Sequence, residues 1–346
     1  MKLISQLKYK LFIYPRYILK RHFFNQILTG DFGKIFHYIK IIIKNKFFGY
    51  PRLAIIETGT TCNLNCATCP TPRHLLGRPA SLMKPDDFKQ IVDKVKDFVH
   101  IVLLYNTNEP LLNPDLPEMI KYADKSNLYT MFSTNAMLLG EKKTNDILNS
   151  GLDEILLCLD GMTKDSYETF RAGANFETVV KNIKYFCLEK KRRRLTKPFV
   201  ELQFIVTQLN QDQIPEIKQF ANDLSVDRLR TKSLAIGEYA YAEAERRELI
   251  AKFLPTRNDA KTCYKKDDKG LTHKKQSEHC VIARDQVSIL TDGRMVICCY
   301  DIKGAYVYGD LFKKSFKEIW FNPEVVLKRR LAEKRGHALC NKCESY

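Results

Sequence analysis

The sequence predicts an α/β protein, a parallel sheet flanked by helices, with a small C-terminal α+β module behind it. Three observations carry this. Six short apolar runs alternate with five amphipathic runs between residues 53 and 234, the pattern of parallel βα units joined by right-handed crossovers. A Cys-x3-Cys-x2-Cys run follows the first apolar run directly, and loops after such strands are the usual place for a site. A second group of cysteines begins at Cys280, around a hairpin-like stretch.

Residues 1–50 read as a basic amphipathic helical segment: residues 3–28, interrupted at Pro15, then residues 32–48, capped by Thr29 or Asp31. Phe32, Ile35, Phe36, Ile39, Ile42 and Ile43 keep a helical period, with Lys34, Lys40 and Lys44 in the intervening arc. Such a helix either lies in a bilayer interface or packs across the sheet. The strands are expected at residues 53–57, 101–105, 129–134, 154–159, 200–207 and 228–234. The helices are expected at 84–98, 115–125, 141–150, 176–190 and 214–224. Residues 236–279 are polar around Glu243 and again from Lys261, and read as a linker. From residue 280 the chain reads as a hairpin turning at Asp292-Gly293, then helical stretches leading to Cys340 and Cys343.

The 346 residues suffice for one large core, or for a core plus a smaller module. Eleven cysteines without a small-residue cleavage site read as intracellular ligands and core thiols rather than a secreted disulfide framework. No stretch approaches the roughly 20 uninterrupted apolar residues of a spanning helix. Net charge is +17, and residues 1–50 supply ten Lys/Arg against Asp31 alone. No zinc finger, RNA-recognition aromatic motif or Gly-x-x-Gly clamp accompanies that charge, which argues against a nucleic-acid partner.

Cys62, Cys66 and Cys69, set after Glu57-Thr58-Gly59-Thr60-Thr61, are three thiols in one loop. Thiolates suit iron-sulfur clusters, and three of them leave one iron of a cubane open; a zinc site completed by His74 is the alternative. The motif resembles that of the radical S-adenosylmethionine (SAM) superfamily. The resemblance implies an open (β/α)6 partial barrel over residues 51–235. It also implies a 4Fe-4S cluster whose open iron is chelated by SAM, and reductive cleavage of SAM to a 5'-deoxyadenosyl radical that abstracts a substrate hydrogen. Further residues are carried over by the same resemblance. Asn108 and Glu109, in Thr107-Asn108-Glu109-Pro110, stand where relatives contact the SAM amino group; a turn is the plainer alternative. Ser133 and Asn135, in Ser133-Thr134-Asn135-Ala136, are placed for SAM or for a turn cap, and Cys158 takes a usual serine position before Asp160-Gly161 or serves as a small core residue. Arg171 pairs with the SAM carboxylate, or with Asp160 or Glu168. Gln203 is a weaker contact, with Thr207.

Residues 280–346 resemble the auxiliary-cluster modules of the same superfamily called SPASM and, when shortened, twitch. The resemblance implies a second 4Fe-4S cluster on Cys280, Cys298, Cys340 and Cys343, with structural zinc as the alternative. Cys299 is the alternative to Cys298, since adjacent strand residues face opposite ways and one pocket takes one of them; Cys263 is a further substitute. Asp301, Asp160 and Tyr105 are the candidates for a catalytic base. The expected function is oxidation of an alcohol or sugar-like, small or lipid-linked molecule, with the auxiliary cluster accepting an electron. Flavodoxin or ferredoxin would be the reductant, and the location cytoplasmic, peripheral to the inner face of the membrane. The competing readings are a peptide-modifying or epimerising radical SAM enzyme, a non-catalytic iron-sulfur protein binding nucleic acid, and a membrane-associated scaffold.

Overall fold

The structure, a computed structural model, describes residues 32–237, 240–257, 264–267, 270–273, 279–341 and 343. The helix expected at 3–28 and the substitute ligand Cys263 lie outside these residues. The described chain opens with helix α1 (Phe32–Phe48) and enters β1 (Leu53–Ile56). Five crossovers follow: α2 (Pro85–Val95) to β2 (Ile101–Leu103), α3 (Leu116–Lys125) to β3 (Tyr129–Thr134), α4 (Glu141–Leu148) to β4 (Glu154–Cys158), α5 (Lys164–Phe170) and α6 (Phe176–Arg192) to β5 (Phe199–Val206), and α7 (Ile214–Asp223) to β6 (Arg228–Ser233). These six strands are parallel neighbours in chain order.

After α8 (Glu243–Phe253) and the hairpin β7 (Tyr264–Asp267)–β8 (Gly270–His273), the C-terminal part adds α9 (Ile282–Asp285), β9 (Gln286–Ile289), β10 (Arg294–Val296) and β11 (Val307–Asp310). It closes with α10 (Phe316–Trp320), α11 (Pro323–Glu333) and α12 (Ala338–Asn341). Strand β9 pairs in parallel with β1, Leu53 opposite Gln286, so the C-terminal hairpin extends the same sheet. The order β11-β10-β9-β1-β2-β3-β4-β5-β6 is linear. The sheet is therefore open, a partial barrel carrying a C-terminal module.

Side chains alternate across this sheet with period two. Ala54, Ile56, Val102, Phe132, Ile155, Leu157, Val200, Leu202 and Phe204 join the helices in the main core. Ile55, Ile101, Leu103, Tyr129, Met131 and Leu156 form a second cluster on the other face, the inside of the barrel. Burial on both faces explains why the strands read as nearly continuous apolar runs. The interior changes character along the sheet. At β4–β6 it is polar: Glu154 accepts from the Tyr129 hydroxyl at 2.6 Å, and Glu201 accepts from Arg228 and lies 3.7 Å from Arg230.

Helix α1 lies across the N-terminal ends of the strands. Lys34 reaches Asp124 at 2.6 Å and Asp153, just before β4, at 2.9 Å. His37 Nε2 is 3.0 Å from the Val99 carbonyl before β2, and Lys40 pairs with Asp97 at 2.7 Å. Burial would lower the Lys34 ammonium, but attraction to Asp153 and Asp124 outweighs it and holds the group above its ordinary value. The sequence placed Lys34 in the arc between the apolar residues; the helix is turned so that this arc faces inward and two carboxylates hold Lys34. Among the described residues no helix is long and apolar enough to cross a membrane.

The stretch 236–279, expected to be a linker, contains a packed unit. Leu249, Ile250 and Phe253 of α8 bury with Leu234, Ile236, Tyr241, Tyr264 and Phe170. Arg246, 4% exposed, donates from Nε to the Ile236 carbonyl at 3.0 Å. The charged run Glu243-Ala244-Glu245-Arg246-Arg247-Glu248 disguises this helix, because one of its arginines points inward.

Candidate active site

The three-cysteine loop springs from the C-terminal end of β1, the end opposite α1. Its backbone is zipped to the segment after α5: Asn65 N–H donates to the Ala172 carbonyl at 2.7 Å, and Ala67 N–H to the Phe170 carbonyl at 3.4 Å. Gly173 makes the turn there at φ +84°, in the left-handed region that a side chain strains. On its other side, Thr60 and Ser81, then Met83 and Thr58, pair across the loop through backbone bonds of 3.0 and 3.1 Å.

Two carried-over side chains reach the cysteines. Arg171 Nη1 is 3.7 Å from Cys66 Sγ, and Asn135 Nδ2 is 3.8 Å from Cys62 Sγ and 2.9 Å from Asn63 Oδ1. Burial pushes the Cys62 thiol up to about 12, and it raises Cys66 as well, where Arg171 works against it. A bare thiolate is thus costly in this loop, and a bound iron is the kind of positive centre that offsets the cost. Of the partners expected for Arg171, the structure shows Asp160: Nε bonds it at 2.6 Å, and Nη2 also donates to it. Glu168 instead accepts from the Phe176 N–H at 3.0 Å.

Glu109 is fully buried, and burial raises its carboxyl above the usual range. Three donors oppose that shift: Asn135 N–H at 2.9 Å, the Thr134 hydroxyl at 2.7 Å and Leu111 N–H at 3.1 Å. It ties the end of β2 to the end of β3. Asn108 turns to the Thr58 hydroxyl at 3.0 Å. Ser133, Cys158 and Gln203 meet on the inner face of three adjacent strands, with Ser133 Oγ 3.2 Å and Gln203 Nε2 3.7 Å from Cys158 Sγ. Thr207 is buried at the end of β5, and Lys232 of β6 lies on the Cys158–Asp160 side, its ammonium lowered by burial.

Two of the base candidates have other work. Asp160 is fully buried, with one oxygen on Arg171 and the other accepting the Ile205 N–H. Asp301 accepts from Ala305 N–H and Tyr306 N–H, both at 2.8 Å, and so holds the turn after Cys299. Tyr105 stays half-buried against both core clusters at the inner wall.

Sequence reasoning overlooked a buried knot beneath the site. Glu57, fully buried at the end of β1, receives both terminal nitrogens of Arg78 at 2.8 Å, the Thr107 hydroxyl at 2.7 Å and the Thr291 hydroxyl at 3.0 Å. Arg78 also donates to the Ile302 carbonyl at 2.8 Å. The cysteine loop, the β2 loop and the C-terminal module meet here. The available signal was a glutamate ending an apolar strand, just before the cysteine loop.

In the C-terminal module, Cys280, Cys298, Cys340 and Cys343 line one pocket with Ile282, Ala283, Ile297 and Ala332. Burial raises the Cys298 and Cys340 thiols. Cys299 packs instead on the inner barrel face with Leu53 and Tyr105, and burial pushes it up to about 11 beside Gln286. Among the described residues no three His, Cys, Asp or Glu side chains converge on a site for a single metal ion.

Residues 56–199 match the radical SAM superfamily, and residues 280–344 match SPASM, an iron-sulfur cluster-binding domain. The PqqA peptide cyclase of Bradyrhizobium diazoefficiens is 25% identical over 203 residues, covering 59% of this chain and 51% of that protein. The tungsten-containing aldehyde ferredoxin oxidoreductase cofactor-modifying protein of Pyrococcus furiosus is 22% identical over 320 residues, 83% of this chain and 86% of that protein. The first curated relatives it matches are spanned over about half their length, 51%, 48% and 52%. The structure of Streptococcus suis SuiB covers 87% of this chain and 74% of its own, with a TM-score of 0.60 at 18% identity, a likeness of fold.

These matches imply a 4Fe-4S cluster and SAM at the first site and further iron-sulfur binding at the second. The donors fit: a thiol triad with an arginine beside it, and four thiols around an apolar pocket. By these two matches, the chain carries a radical SAM domain over residues 56–199 and an iron-sulfur cluster-binding domain of the SPASM kind over residues 280–344.

Proposed function

We propose that this chain abstracts a hydrogen atom from a polar substrate seated at the barrel mouth, and oxidises an alcohol-bearing carbon of it. The observation that carries this is the presence of two thiol sets, three in the loop after β1 and four around the pocket of the C-terminal module. Residues 51–235 form the reacting barrel, residues 280–346 the auxiliary module, and residues 1–50 an accessory segment. Cys62, Cys66 and Cys69 hold the first cluster. When bound, that cluster and SAM supply reductive cleavage to methionine and a 5'-deoxyadenosyl radical, which takes the substrate hydrogen. Arg171, anchored by Asp160, and Asn135 flank the triad, while Ser133, Cys158 and Gln203 line the wall that SAM faces. Asn108 and Glu109 shape the loop that receives its amino group. Tyr105, at the inner barrel wall, is placed to move a proton.

Cys280, Cys298, Cys340 and Cys343 give complete ligation to a second cluster, which suits an electron carrier. Cys298→Ala should therefore cost iron at that site, while Cys299→Ala should keep it. Iron analysis and visible absorption read the difference, and the reverse order overturns this ligand set.

A second reading is peptide modification. It is favoured by two relatives: a peptide cyclase by name, and SuiB, solved bound to its precursor peptide SuiA. One experiment separates the two. Reduced holoenzyme, supplied with electrons by flavodoxin or ferredoxin, should cleave SAM to 5'-deoxyadenosine. Deuterated small alcohols and precursor-like peptides are screened for deuterium transfer into that product. Transfer from an alcohol with loss of two hydrogens supports oxidation, and transfer from peptides alone overturns it in favour of peptide modification. No cleavage with the first cluster full defeats both.

A further inference from the structure

Helix α1 wears its amphipathic pattern inside out. Its polar Lys34 and His37 face the barrel with Ile35 and Ile41, whereas Phe32, Phe36, Ile39, Ile43 and Phe47 are between 44% and 70% exposed. At 100° per residue these five side chains fall in one narrow stripe, about 25 Å long over the helix. Lys40 borders it on one side and Lys46 on the other. Lys40 pairs with Asp97 at 2.7 Å, Lys44 donates to the Asp97 carbonyl at 2.8 Å, and Lys317 lies on the Lys44 side. The preceding 31 residues add six Lys/Arg against Asp31. A cover made of that basic segment, or of a second copy of this face, would set lysine against lysine. An anionic lipid surface takes both the apolar stripe and its basic border.

We propose that the outer face of α1 is a membrane-docking surface for anionic lipid, with Phe32, Phe36, Ile39, Ile43 and Phe47 inserted at the headgroup boundary.

The test uses the full chain with its clusters loaded, and vesicles of phosphatidylcholine with or without phosphatidylglycerol. Wild type should float with the phosphatidylglycerol vesicles and not with phosphatidylcholine alone. Phe36→Glu with Ile43→Glu should lower that partition by at least about tenfold, while visible absorption and SAM cleavage stay at wild-type level. Phe36→Trp adds an indole to the buried Trp320. Its emission should begin solvent-exposed and be quenched by brominated phospholipid. Undiminished flotation of the double glutamate variant overturns the proposal. So does an added indole already shielded from acrylamide without lipid, which would mean that residues 1–31 or a second copy cover the face. The variants touch no cluster ligand, so loss of chemistry would report on the enzyme and loss of flotation on the docking face.

Discussion

Replacing Cys62, Cys66 and Cys69 together with alanine should cut cluster iron from about eight atoms per chain to about four and abolish SAM cleavage. The cysteine loop is fixed by backbone bonds to Phe170 and Ala172 that the thiols do not make, so the fold should survive the change. The four thiols of the C-terminal pocket lie outside this loop, and their cluster should remain visible by absorption and electron paramagnetic resonance. Two outcomes would defeat the assignment. One is retained cleavage in the triple variant; the other is stoichiometric zinc with little iron in the C-terminal site of the wild type.

Removing the Glu57 carboxylate should cause a large loss of stability. Glu57→Ala strands the Arg78 guanidinium, whose side chain is 7% exposed, in a site built to hold it by two bonds. Breaking a buried pair from one side costs about 3–5 kcal/mol, because the surviving charge is left without compensation. The Thr107 and Thr291 hydroxyls lose their acceptor as well. Chemical denaturation of the apo and loaded proteins should show the drop. Glu57→Leu combined with Arg78→Met should recover much of it, since the double change leaves no stranded charge. If the single and double variants are equally unstable, the knot acts through packing and not through charge.

The parts of this molecule that show in its sequence are those where burial is uniform. Strands covered on both faces read as apolar runs, and β1 to β6 lie within a residue or two of where those runs place them. Cys298 and Cys299 do part as expected, but not by strand alternation: β10 ends at Val296, and the turn that follows it sends the two side chains apart. What does not show depends on contacts made far along the chain. Helix α5 is only seven residues long and mostly polar. It is held by the Thr163–Ser166 capping box and by burial of Tyr167 and Phe170. The Asp301 carboxylate looks like chemistry in a string of letters, and in space it holds a turn. Lys34 reads as part of the polar arc of its helix and proves to be a buried tie. The Glu57–Arg78 knot joins residues 21 apart and then a third segment more than 200 residues on, a coincidence that no local pattern announces.

Helix α1 closes one end of the partial barrel, and the cysteine loop opens from the other. The strands between them, β1 to β4, are three to six residues long, a separation of roughly 10–20 Å. With α1 resting on a bilayer, the reactive end would stand off from the lipid by that distance and face the water. The membrane would then be a platform rather than a reservoir of substrate: an acyl chain in the same leaflet would have no route to the mouth. Only a headgroup long enough to bridge the gap, or a soluble partner drawn to the same surface, would arrive there. The end on which the chain sits thus constrains the molecules that its other end can meet.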